Sequence, residues 1–299
     1  MLHHSFARRT SALFASLLLF STVACAGDIR DTVKESFKVR PGGTLFIDID
    51  HGNVEVESTR DDAVRIEVER SVDVGNRDDA KALLERHELS MRQNGNNVSL
   101  ESRFDRDSGI WGKIRGHTHI RIRVRVQVPE RYSVDFSSGA GNVAIADLDG
   151  EVRGRTGAGN IDIGAVTGSV DVSSGSGNVR VEGASGLVEA STGAGNIELR
   201  DVRGELRANT GAGNITAYIT EQPRSESHLT TGAGNVTAYL GSRIGVDVSA
   251  EASMGSASTD FPLRVEGKWM RKSFEGHVNG GGPDLRLRAG VGNVALKRL

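Results

Sequence analysis

Residues 139–210 read as four consecutive segments of 18 residues: GAGNVAIADLDGEVRGRT, GAGNIDIGAVTGSVDVSS, GSGNVRVEGASGLVEAST and GAGNIELRDVRGELRANT. Asn142, Asn160, Asn178, Asn196 and Asn214 mark the period without a slip. Asn235 follows after a 21-residue unit, and Asn53 and Asn293 belong to looser copies near the two ends. A fixed period of this size is the signature of stacked architectures, in which each unit buries its apolar face only against its neighbours.

Aligned column by column, each unit carries two strand signals. The fifth and seventh columns (Val143, Ile161, Val179, Ile197; Ile145, Ile163, Val181, Leu199) alternate with polar or small residues, as in a short half-buried strand. The fourteenth (Val152, Val170, Val188, Leu206) and sixteenth (Gly154, Val172, Ala190, Ala208) form a second inward-facing set. Gly150, Gly168, Gly186 and Gly204 share the twelfth place, and Gly-x-Gly-Asn opens every unit. Both are predicted corners, because glycine and asparagine tolerate positive φ. Two strands and two corners make one coil of an all-β solenoid with 18-residue coils. The asparagine column is expected to form a ladder in which each amide gives to and takes from its neighbours. Among outward positions, Asp162, Arg180 and Glu198 share a column, as do Arg153, Asp171, Glu189 and Arg207. Stacking at ~4.8 Å puts mostly opposite charges over one another.

The flanks divide the remainder. Residues 1–26 carry Arg8-Arg9, an apolar run from Ser11 to Phe20 and the small residues of Ala24-Cys25-Ala26, the pattern of a secretory signal peptide. Cleavage after Ala26 is favoured; the alternative is a lipoprotein signal in which Cys25 carries a lipid anchor. Residues 27–43 read as a linker, 44–136 as irregular coils with a helical cap, 137–240 as the regular repeat and 241–299 as coils that close the stack. Asp78 to Ser90 is the only convincing helix signal.

Composition narrows function. The chain of 299 residues has 38 glycines, one cysteine, 5% aromatic residues and a net charge of −2. No long-range field recruits nucleic acid, and no later run is long enough for a transmembrane span. Acids scatter over different columns, so no catalytic pair emerges. His117 and His119 share a strand face without a third ligand, so no metal and no cofactor are expected. The Gly-x-Gly-Asn copies precede β-branched strands, whereas a phosphate loop occurs once and precedes a helix. Candidate ligand-binding residues are Tyr218 and Tyr239, in one column of neighbouring units, where stacked phenols offer a sugar platform. Arg121, Arg123 and Arg125 on one strand edge could grip an acidic glycan or a lipid headgroup.

The repeated Ser/Thr-Gly-Ala/Ser-Gly-Asn-Val/Ile units, Asn279-Gly-Gly-Gly-Pro-Asp-Leu-Arg-Leu and the closing Val-Gly-Asn-Val-Ala-Leu resemble the bacterial β-strand-repeat family of putative adhesins, a domain of unknown function. The resemblance covers roughly residues 40–299. It implies a single-stranded right-handed parallel β-helix, an envelope location (periplasm or cell surface) and adhesin-like binding, and it brings no catalytic residues. The expected function is a non-enzymatic exported protein presenting a surface to a glycan, a surface or another envelope protein. A carbohydrate-active lyase or hydrolase on the same scaffold and a periplasmic regulatory or scaffold component are the alternatives.

Overall fold

A computed structural model describes residues 24–25, 28–73, 81, 83–104, 119–263 and 272–299. The signal-peptide reading lies almost wholly outside them, as does His117. The described residues are nearly all strand, in one 13-stranded and one 12-stranded sheet. Each regular unit gives a short strand to the first sheet and a longer one to the second. Val143 lies beside Ile161, Ile161 beside Val179 and Val179 beside Ile197, all in parallel. In the other sheet Val152, Val170, Val188 and Leu206 are parallel neighbours in the same way. Successive partners are therefore 18 residues apart. The step lengthens to 21 between Ile215 and Val236, where the connection over residues 220–226 accommodates three extra residues.

Alternation within each strand turns the apolar columns inward, and Val152, Ile161, Val170, Val181, Val188 and Leu199 are fully buried. They belong to one apolar core running the length of both sheets. Burying a side chain of this size is worth roughly 1.5–3 kcal/mol. An isolated unit would expose both sides of every column, so stability comes from stacking.

The two ends depart from sequence order. The final segment was expected to close the stack; instead Asp284–Val291 lies between Ser227–Ala233 and Val246–Met254. Val294–Arg298 is likewise held between Val236–Leu240 and Ala257–Thr259. The chain skips one place, builds the outer unit, and returns to fill the gap. The opposite end mirrors this. Gly43–His51 sits between Tyr132–Ala140 and Asn97–Phe104, and Asn53–Thr59 sits between Val143–Ile145 and His119–Pro129.

Outside these units the pairing turns antiparallel. Asp28–Lys38, expected as part of a linker, is a strand against Ala63–Asp73, which in turn pairs with His119–Pro129. Ser273–Val278 pairs antiparallel with Val246–Met254 at the other end. The helix predicted over Asp78–Ser90 is shorter: among the described residues, 81 and 83–85 are helical, and His87–Asn94 is a strand. That strand forms a hairpin with Asn97–Phe104 through Gly95-Asn96, where Gly95 has φ +61°. The hairpin supplies hydrogen bonds along the sheet that a continued helix would leave open. No helix of the described residues is long and apolar enough to cross a membrane.

Candidate functional site

The corners set how exactly the outer side chains line up. Gly177 shows why the third residue of each unit is glycine: its φ is +148°, and a Cβ there would lie 2.0 Å from the carbonyl oxygen of Gly159. The twelfth-column glycines differ from expectation. Gly150, Gly168, Gly186 and Gly204 do not have positive φ. What they supply is clearance, as a Cβ on Gly168 would meet the Gly150 carbonyl oxygen at 2.3 Å.

Asparagine also acts otherwise than through φ. The backbone N–H groups of Asn160, Asn178, Asn196 and Asn214 each donate to Oδ1 of the asparagine one unit earlier, at 2.8–2.9 Å. Asn142 donates likewise to Asn53, Asn235 to Asn214, and Asn293 to Asn235. The row ends where Ser256 donates to Asn293. Among the described residues direct amide-to-amide bonds occur only at Asn214, Asn235 and Asn293, so the ladder is mainly side-chain oxygen to backbone. A second row escaped the sequence reading. Buried Thr156, Ser174, Thr192, Thr210 and Thr231, each the last residue of its unit, donate their hydroxyls to the carbonyl of the corner glycine that opens the same unit. The recurrent Ser/Thr before each Gly-x-Gly-Asn was its signal.

On the outer face of the 13-stranded sheet, Tyr218 and Tyr239 are registered neighbours, stacked with centroids 4.8 Å apart and planes 5° apart. The Arg200 guanidinium lies over Tyr218 at 5.6 Å, and the Lys297 ammonium lies over Tyr239 at 5.9 Å. The four side chains form one row in which cations close both ends of the aromatic pair. Both faces of each ring are thereby occupied, so the open sugar platform expected from sequence is not offered. Arg200 also pairs with Glu198 at 2.6 Å and Glu182 at 3.8 Å. Its hydrogen bond to Glu198 holds the guanidinium above its ordinary pKa. Farther along the same face the row drops to Ala146 and Gly164. There a depression of about 570 Å³ opens, rimmed by Glu55, Glu57, Asp162, Arg180 and Glu182.

The three candidate arginines part company. Arg125 pairs with Glu55 at 3.5 Å. Arg121 and Arg123 line a separate notch of about 450 Å³ at the end of the asparagine ladder, together with Arg30, Asn53, Glu69 and Ser71. Across neighbouring strands Arg30, Ser71 and Arg121 are in register, as are Glu69, Arg123 and Asn53.

A buried polar chain ties the two sheets together near this notch. Asp31 and Arg70 of the 13-stranded sheet form an ion pair, and Arg70 Nη1 lies 3.3 Å from His87 Nδ1. Since arginine only donates, Nδ1 accepts and the imidazole proton sits on Nε2, 2.7 Å from Ser102 Oγ. Phe104 packs on His87 and on His51. Burial, and then the Arg70 charge, pull the His87 pKa from 6.5 down to about 4. Ser102 is fully buried, so this Ser–His contact meets no substrate. The overlong helix prediction hid it, although Asn94-Gly95 between alternating runs is a hairpin signal. Among the described residues no group of three or more His, Cys, Asp or Glu is placed to hold a metal ion.

Two long, mostly parallel sheets joined by repeated corners define an all-β repeat protein. The chain belongs to the Toastrack DUF4097 family, whose model matches residues 44–297. This is a family of unknown function, as the repeated units suggested. No curated protein matches the chain. Solved structures similar to it include a putative adhesin from Bacteroides fragilis (18% identity, 90% of this chain and 97% of that one, TM-score 0.47). Others are a putative adhesin from Parabacteroides distasonis (11%, 90% and 97%, TM-score 0.39) and a putative cell adhesion protein from Clostridium sporogenes (15%, 89% and 99%, TM-score 0.30).

Proposed function

We propose that the protein is a non-enzymatic, exported component of the cell envelope that works as a rigid, adhesin-like binding scaffold for glycan. The reading includes a right-handed parallel β-helix with 18-residue coils, the hand that crossover connections between parallel strands take almost without exception. Arg8-Arg9, the apolar run after them and Ala24-Cys25-Ala26 support export.

The observation that carries the reading is the outer face of the 13-stranded sheet, where side chains are repeated in register across successive strands. A row running through Glu182, Arg200, Tyr218, Tyr239 and Lys297 offers a linear polymer several polar contacts at the strand spacing, through the ring edges and hydroxyls of the tyrosines rather than their stacked faces. Weak contacts repeated along a polymer add to useful avidity. The same row is poorly suited to acid–base chemistry, since Glu182 and Glu198 are engaged by Arg200 and by Arg180.

The test is glycan-array binding by the purified protein and by a Tyr218→Ala/Tyr239→Ala variant. Retention of specific glycans by the parent, weakened about tenfold in the variant, is the expected result. A parent that retains no glycan would remove the reading.

A further inference from the structure

The corner pattern stops at one place. Asn53 is the first rung of the asparagine ladder, and the strand on its outer side puts Arg123 in register with it where another asparagine would stand. That strand does not turn. It runs on through Ile122, Arg121 and Ile120, paired with Arg70, Ser71 and Val72. The neighbouring units do turn, at Gly52 and Gly141, whose φ values are +137° and +132°. Straight strands on one side and turning corners on the other enclose the notch of about 450 Å³.

Its charge pattern differs from that of the regular units. Elsewhere on the regular units arginine and glutamate alternate and pair, as Arg153 does with Glu151 and Arg207 with Glu205. In the notch Arg121 and Arg123 stand beside one lining carboxylate, Glu69. Glu69 lies 3.8 Å from Arg123, at the loose end of ion-pair distance. Among the described residues Arg121 has no carboxylate within ion-pair distance. Asn53 and Ser71 place neutral hydrogen-bonding groups beside the cations, and half-buried Ile120 adds an apolar wall.

We infer that the notch binds an acidic sugar unit of a polysaccharide. Arg121 and Arg123 grip its carboxylate or sulfate, Asn53 and Ser71 meet its hydroxyls, and Ile120 lies against the ring. Guanidinium groups are suited to planar, two-pronged recognition of an oxyanion. The mixed lining favours a sugar over a membrane surface, where insertion needs exposed apolar side chains. Among the described residues the large apolar side chains that are exposed, Phe46, Met254, Val291 and Leu299, line no part of the notch. This inference rests on the glycan-binding reading above and names the chemical class of the ligand.

The experiment is calorimetric titration of the full protein with an oligogalacturonate, a neutral glucan oligomer and phosphatidylglycerol vesicles, at low and high salt. Arg121→Gln/Arg123→Gln is compared with a charge-matched control, Arg153→Gln/Arg207→Gln, with circular dichroism confirming that each is folded. Expected are binding of the oligogalacturonate alone, a loss of about tenfold or more in the notch variant and in high salt, and no change in the control. Unchanged acid-sugar binding in the notch variant, or an equal loss in the control, overturns the notch while the glycan reading survives. Binding to vesicles only overturns the notch in favour of a lipid headgroup. Failure to bind any saccharide here and on the array overturns both.

Discussion

Gly154 lies next to the ring of Phe136 in the adjoining strand, and a Cβ at Gly154 would sit 2.3 Å from Phe136 Cδ1. The sixteenth column thus gives up a side chain in one unit to admit a large one from its neighbour. Gly154→Ala should lower stability by about 1–3 kcal/mol through overpacking. Urea denaturation measures it, and Phe136→Leu in the same chain should recover much of the loss. A Gly154→Ala protein as stable as the parent would show that the ring has room to move.

The corner makes a graded prediction. Asn178→Ala removes the acceptor for the Asn196 N–H, at an exposed position where water can take its place. The expected cost is about 1 kcal/mol. Gly177→Ala forces both the φ of +148° and a 2.0 Å approach to the backbone of the preceding unit at Gly159. It should be much more damaging and lead to insoluble protein on expression. Equal effects at the two positions would contradict this division of labour.

Stability should fall with acid because of His87. Its folded pKa, about 4, is below the ordinary 6.5, so the unfolded chain binds the extra proton first. The contribution is whole above pH 6.5 and is lost as pH falls toward 4. The limiting slope is about 1.4 kcal/mol per pH unit for one proton. Urea midpoints measured across this range should drop in the parent more steeply than in His87→Gln, which keeps a donor and an acceptor but does not titrate. Parallel curves would rule out His87 as the source.

The interleaved C-terminus should be among the well-protected parts of the chain. Val294–Arg298 has a strand on each side, whereas Ala257–Thr259, earlier in sequence, is paired on one side among the described residues. Hydrogen exchange should be slower in the former. Truncation before Asp284 should separate the strand of Val246–Met254 from Ser227–Ala233, costing more than the loss of one end unit. Rapid exchange at Val294–Arg298 would show that the end frays despite its two neighbours.

The sequence alone determined the repeat, its period, its inward columns and the location of its corners. Each unit solves the same local problem, so the solution recurs as a visible pattern: valine beside isoleucine, threonine before glycine, asparagine after it. The tertiary structure decided which copy stands beside which. Val294 matches the inward column of any unit, so nothing local tells it to pass inside Ala257 rather than outside it. Asp31, Arg70, His87 and Ser102 likewise come from four separate strands, and their chain exists only once both sheets are closed. Arg121 and Arg123 were legible as a cationic edge; the notch they line depends on one strand running straight past a neighbour that turns. Periodic packing is written into nearest-neighbour side chains, whereas exceptions to it arise from contacts between residues far apart in the chain.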